Sequence, residues 1–260
     1  MTRDIDENLA RSLTAETVEL LPFLPYLLQD LWELGSSPQD MITLIKRHIP
    51  LSENSKILDL ACGKGAVSVR IAEDLRVNVC GFDLLPEFVE YAEKKSAEFG
   101  VDKLCRFTCG DANETVESER DFDCVIFGAA GNILGEPRET LQKLAKTIKS
   151  NGFIIIDEGY LPDDMTNDYV KYQNYEFLTR GEWLKLFDEC GLTLVEELKN
   201  VDDYDFDSDN KFIAARADEL IAKHPEKRAI FESYVASQLD ECEDLESNIT
   251  AITWILQKKD

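Results

Sequence analysis

The sequence predicts a doubly wound α/β fold: a seven-stranded, mostly parallel sheet with helices on both faces. Two observations carry that prediction. Short apolar runs alternate with helix-period stretches from residue 56 onward, and strands separated in this way imply right-handed crossovers and a sheet buried on both sides. The chain is also 260 residues long, enough for one such domain plus extra helical segments without disulfides or metals to hold it.

The elements follow in order. Lys56–Leu60 is a short apolar run, followed by glycines and the helical stretch Ala66–Leu75. Residues 77–82 form the next run. Pro86, well placed as a first helical residue, opens a helix over 86–99. Residues 104–109 end at the turn Gly110-Asp111, and 123–127 make a fourth strand. A helix over 137–149 is closed by Asn151-Gly152, after which 153–157 is β-rich. Residues 179–190 read as a helix with a stop at Gly191, and 192–198 as a sixth strand. An acidic loop, 202–209, leads into helices over 211–223 and 226–245, and the β-branched run 249–256 is a seventh strand. Before the core lie helical segments over 20–34, with two prolines, and Pro38–His48. The expected organisation is therefore a helical N-terminal cap (1–50), a core (51–201 and 247–260) and a helical insertion (202–246).

Fifty-two acidic residues against 28 basic ones give a formal net charge of −24. Non-specific nucleic-acid binding rests on Lys and Arg neutralising phosphates, so nucleic acids and anionic membranes are not expected partners. Such acidity serves solubility, and it could also steer a cationic substrate. No apolar run approaches the roughly 20 residues that span a bilayer, and the acidic start is unlike a signal peptide, so a cytoplasmic location is expected. The seven cysteines form no CxxC pair; they are expected to be buried reduced thiols, and no metal site is expected. The two histidines, His48 and His224, read as surface residues.

The chemistry concentrates at Ile57-Leu58-Asp59-Leu60-Ala61-Cys62-Gly63-Lys64-Gly65. A strand ends on an acid, and small residues at Ala61, Gly63 and Gly65 let a ligand approach the backbone before a helix begins. The helix start offers free N–H groups to an anion. A second acid, Asp83, ends the next strand and suits a ribose diol, because a carboxylate accepts two hydroxyl hydrogen bonds. A third, Asp111, closes the third strand. All three fall on the carboxyl edge of the sheet, where open α/β folds bind ligands. A dinucleotide fingerprint would need a third glycine where Ser68 stands, and Asp59 would repel a pyrophosphate, which disfavours a nicotinamide enzyme.

These residues together resemble the class I, Rossmann-like S-adenosylmethionine-dependent methyltransferases of small-molecule type. The resemblance implies that the last strand runs antiparallel and that S-adenosyl-L-methionine is the cofactor. It assigns Asp59, Ala61, Gly63 and Gly65 to the loop under the methionyl and ribosyl groups. Asp83 would take the ribose hydroxyls, Leu84 the adenine ring, and Asp111 with Ala112 the adenine edge. Phe127 and Gly128 would pass beside the methyl donor. One departure is Ala61, where many members carry glycine; alanine is expected to be small enough.

The acceptor is expected to be a small molecule. The tetrad N-P-P-[YF] does not follow the fourth strand; the small, neutral Ala129-Ala130-Gly131-Asn132 stands there instead. Asn132 and the segment Asp157-Glu158-Gly159-Tyr160, Glu158 and Tyr160 above all, are the candidate acceptor contacts, with the aromatic run Tyr169, Tyr172, Tyr175 and Phe177 beside them. The segment 32–38 is a further candidate for cofactor contact. No catalytic base is assigned. Residues 1–50 and 202–246 are expected to roof the acceptor pocket, the alternative for the insertion being a homodimer interface. A non-catalytic cofactor-binding partner protein and a protein methyltransferase are the alternative functions.

Overall fold

In the computed structural model, residues 2–172, 176–199 and 206–259 are described, with side chains from residue 5. Tyr175 and the acidic stretch 202–205 therefore lie outside the described residues. The elements in chain order are α1 (Thr2–Ser12), α2 (Leu24–Leu27), α3 (Pro38–His48), β1 (Lys56–Leu60), α4 (Ala66–Leu75), β2 (Asn78–Asp83), α5 (Pro86–Glu98), β3 (Cys105–Cys109), α6 (Ala112–Ser118) and β4 (Phe122–Gly128). They continue with α7 (Pro137–Thr147), β5 (Ile148–Tyr160), α8 (Arg180–Glu189), β6 (Leu192–Lys199), α9 (Phe206–Lys223), α10 (Arg228–Ser247) and β7 (Thr250–Lys258).

The seven strands form one sheet in the order β3-β2-β1-β4-β5-β7-β6. β1 pairs in parallel with β2 and β4, β2 with β3, and β4 with β5, whereas β7 is antiparallel to β6. This is the Rossmann-like methyltransferase topology that the sequence implied. The order reverses between β1 and β4, and that switch point opens the crevice at the carboxyl edge.

Two compact units divide the chain. The sheet unit comprises Glu33–Glu158, Gly181–Asn200 and Ala251–Asp260. Its central strands are apolar on both faces: Ile57, Leu58, Val125, Ile154 and Ile155 are fully buried. Each such side chain contributes roughly 1.5–3 kcal/mol. Trp254 of β7 packs on Trp183 and Phe187 of α8, with ring centroids 5.4 Å away in each case. Its indole N–H donates to Glu197 Oε2 at 3.2 Å.

The helical unit comprises Met1–Trp32, Gly159–Arg180 and Val201–Thr250. α9 and α10 form a hairpin, and Phe23 meets Phe231 edge-on at 5.1 Å. Asp30 accepts Arg216 through two hydrogen bonds of 2.6 and 3.1 Å. The fully buried Asp244 accepts the Lys171 and Tyr172 backbone N–H groups at 2.8 and 2.7 Å. Asn167 and the Phe177 backbone exchange a reciprocal pair of bonds at 2.8 and 2.9 Å.

Some sequence expectations shift. The stretch 20–34 is not one helix, because Pro22 falls in a 3-10 helix over Val18–Phe23 and α2 lasts only four residues. Asn151-Gly152 does not follow a helix end; α7 stops at Thr147 and both residues lie inside β5, with Asn151 at φ 60°. Of the seven cysteines, all free, only Cys62 and Cys124 are buried; Cys109 is exposed at the edge strand β3. Residues 33–50 fall with the sheet and 159–180 with the helical unit, whereas the sequence reading drew its boundaries at 50 and 202.

Candidate cofactor site

β1 delivers Asp59 to the switch point with its carboxylate almost wholly buried. The Ser68 hydroxyl, in the first turn of α4, donates to Asp59 Oδ2 at 2.6 Å. Burial pushes the Asp59 carboxyl up to about 7, and the neighbouring Asp83 pushes in the same direction.

The chain then turns through three left-handed residues, Ala61, Gly63 and Gly65, at φ 54°, 53° and 74°. At Ala61 glycine would be favoured for its backbone, since the left-handed region costs a Cβ-bearing residue roughly 1–2 kcal/mol. A Cβ on Gly65 would sit 2.6 Å from Ala92 Cβ, so α4 and α5 approach closely at this point. α4 begins without a side-chain cap. Of its first amides, that of Ser68 also lies toward the Asp59 carboxylate.

Asp83 joins this loop to the next. Its Oδ2 accepts the Gly63 N–H at 2.8 Å and its Oδ1 the Leu85 N–H at 3.0 Å. Burial raises its carboxyl above the usual range. Leu84 beside it is half-buried. Asp111 caps α6, its Oδ1 accepting the Asn113 N–H at 2.8 Å, and its Oδ2 has no partner among the described residues. Ala112 is the buried first residue of that helix. Asn113 Nδ2 also donates to the Ile133 carbonyl at 2.8 Å, and Lys143 Nζ to Asn113 Oδ1 at 3.0 Å and the Leu134 carbonyl at 2.7 Å. The β3–α6 turn is thereby tied to the loop after β4.

β4 ends on the buried Phe127 and on Gly128. A Cβ on Gly128 would meet Ser36 Oγ at 2.5 Å, Met41 Cε at 2.9 Å and Asp157 Cβ at 3.2 Å. Segment 34–37 therefore packs against the end of β4 and the glycine loop. Leu34 Cδ1 would be 3.2 Å from a Cβ on Gly63, Gly35 faces Ala129, and the Ser37 N–H donates to Asp157 Oδ2 at 3.0 Å. Asn132 and Glu158 are half-buried at the same edge, whereas Tyr160 is buried in the helical unit.

Neither Ser68 nor Asn113 was assigned a site role from the sequence, and Ser37 was named only within the segment 32–38. Ser68 stands three residues after Gly65, one turn into α4, a spacing that could have pointed back to Asp59; Ser37 and Asp157 are 120 apart and left no local signal. His48 sits at the far end of α3 against Glu196 of β6, about 16 Å along the helix from Ser37. Among the described residues no group of His, Cys, Asp or Glu could hold a metal ion, and no helix is long and apolar enough to cross a membrane.

Residues 51–204 match the methyltransferase domain family. The chain belongs to that family. This methyltransferase is 26% identical over 192 residues to phosphoethanolamine N-methyltransferase of Plasmodium falciparum, covering 70% of this chain and 71% of that one. It is 26% identical over 166 residues to the uncharacterized protein YjhP of Escherichia coli, covering 61% of this chain and 65% of that one. The methyltransferase thus spans just under two thirds of the length of the E. coli relative. A SAM-dependent methyltransferase of Geobacter sulfurreducens, crystallised with S-adenosyl-L-homocysteine, superposes with a TM-score of 0.76 at 20% identity over 91% of this chain and 97% of that one. The family is S-adenosylmethionine-dependent.

Proposed function

We propose that this methyltransferase transfers the methyl group of S-adenosylmethionine to a small-molecule acceptor at the carboxyl edge of its sheet. The observation that carries the reading is the hydrogen-bonded pair formed by the glycine loop and the acid ending β2. The Asp83 carboxylate accepts the Gly63 and Leu85 amides and, with about four acceptor sites in all, keeps capacity for a ribose hydroxyl. The uncapped start of α4 suits the carboxylate of the methionyl group, and Asp59 suits its ammonium. Asp111 Oδ2 and the Ala112 N–H face the adenine edge in this reading, with Leu84 against the ring.

The cofactor supplies an electrophilic methyl group already activated on a sulfonium. The chain's own task is to align and to exclude water. Alignment alone can contribute about 7–11 kcal/mol. Phe127, Gly128 and the overlying 33–37 segment would line the donor's path, and Asn132 and Glu158 would contact the acceptor. The Asn132 side chain makes no hydrogen bond among the described residues and is half-buried, which supports its role in polar recognition. No base is needed unless the acceptor enters protonated. The Plasmodium relative is named for a small phosphorylated amine, which supports the class of acceptor and not its identity.

The test has two stages. S-adenosylhomocysteine should raise the melting temperature of the purified chain, as a ligand of the native state does, and NAD should not. Labelled donor is then incubated with metabolite pools. Label appearing in protein only, or in nothing, would replace this reading with a protein methyltransferase or a non-catalytic cofactor-binding partner.

A further inference from the structure

The proposed cofactor contacts leave one buried acid of β5 unused, Asp157. It is buried, and its Oδ2 accepts the backbone N–H of Ser37 at 3.0 Å. Ser37 is also the N-cap of α3, its Oγ accepting the Asp40 N–H at 3.3 Å. One residue thus starts a helix and fastens that start to the sheet. The three preceding residues run over the site: Ser36 against Gly128, Gly35 against Ala129, and Leu34 against Gly63. Gly128 leaves room for this path, because any side chain there would collide with Ser36 and Met41.

We propose that Asp157 is a positioning residue for methyl transfer. By holding the Ser37 amide it keeps segment 34–37 down over the glycine loop, so that Leu34 closes on the bound cofactor. The inference rests on the cofactor reading above, and it assigns Asp157 a role distinct from acceptor contact. A charged acceptor on a buried backbone donor makes a stronger bond than a neutral one, and removing it strands the donor. The segment has no other fastening of this kind between Glu33 and Ser37 among the described residues. Linkage also runs in reverse: if a closed segment favours the cofactor, the cofactor favours the closed segment.

The experiment measures S-adenosylhomocysteine binding and release, together with amide hydrogen exchange at residues 34–37. In the unaltered protein the ligand should slow exchange of the Ser37 amide. Asp157→Ala should speed that exchange and weaken ligand binding about tenfold, mostly through faster release. Asp157→Asn, whose side-chain oxygen still accepts from Ser37, should restore affinity to within about threefold. Leu34→Ala should weaken binding too, and in that background Asp157→Ala should add little, because the two act through one segment. Ligand-independent exchange at Ser37 in the unaltered protein overturns the proposal, whether or not Asp157→Ala folds. So does unchanged affinity in Asp157→Ala, or equal damage from Ala and Asn. An unaltered protein that binds no S-adenosylhomocysteine overturns the cofactor reading itself, and this inference with it.

Discussion

The Gly63 amide donates to Asp83 Oδ2 across 2.8 Å, so the loop after β1 and the acid ending β2 form a single hydrogen-bonded unit. Asp83→Ala removes the proposed ribose acceptor and frees that loop in one step. S-adenosylhomocysteine binding, measured by calorimetry, should weaken by about 1–3 kcal/mol. Affinity equal to that of the unaltered protein would contradict the ribose assignment.

Asp59 gives a prediction about pH. Its carboxyl titrates at about 7 in the folded chain against an ordinary value of 3.8. Between those values the folded state holds a proton that the unfolded state has released, so stability falls as pH rises. The contribution is fully present below the ordinary value and lost as pH passes the folded one; Asp83, shifted the same way, adds to the slope. Asp59→Asn removes the Asp59 part. At about pH 8 it should melt at least about 3 °C higher than the unaltered protein, whereas near pH 4 the two should agree. The same change should weaken cofactor binding, a trade between stability and function. Coincident melting at both pH values would contradict the burial argument.

Gly65→Ala forces a Cβ into the left-handed region and to 2.6 Å from Ala92 Cβ. Urea unfolding should report a loss of about 2–4 kcal/mol, strain and overpacking together. A loss under about 0.5 kcal/mol, the range of an ordinary surface change, would mean that α4 and α5 separate freely here.

The charge of −24 predicts that duplex DNA, RNA and anionic vesicles do not associate with the chain at physiological salt. Gel-shift and vesicle-flotation measurements decide this. Submicromolar binding in either would require a basic face that the composition does not suggest.

The readable parts of the sequence were those where apolar period and turn chemistry agreed. β1 and α4 have the expected bounds because an apolar run, two glycines and a helical period follow one another without conflict. β5 was read too short because Asn151-Gly152 imitates a turn, while the sheet absorbs it next to a register shift between Phe122 and Cys124 of β4. α6 escaped notice because seven residues with only Ala112, Thr115 and Val116 buried make too weak a periodicity. At the candidate site, the acids and glycines were legible because each stands at or just beyond the end of a strand and before a helix. The Ser37–Asp157 and Lys143–Asn113 bonds were not, since tertiary packing alone brings those residues together.

The position of β7 has a consequence for synthesis on the ribosome. Among the described residues β6 has no neighbour in the sheet except β7, which inserts between it and β5. The intervening chain contains α9 and α10, so a ribosome makes that helical hairpin before it makes the strand that β6 must pair with. Until then β6 is detached from the nascent sheet, and its hydrogen-bonding groups stay open to other chains.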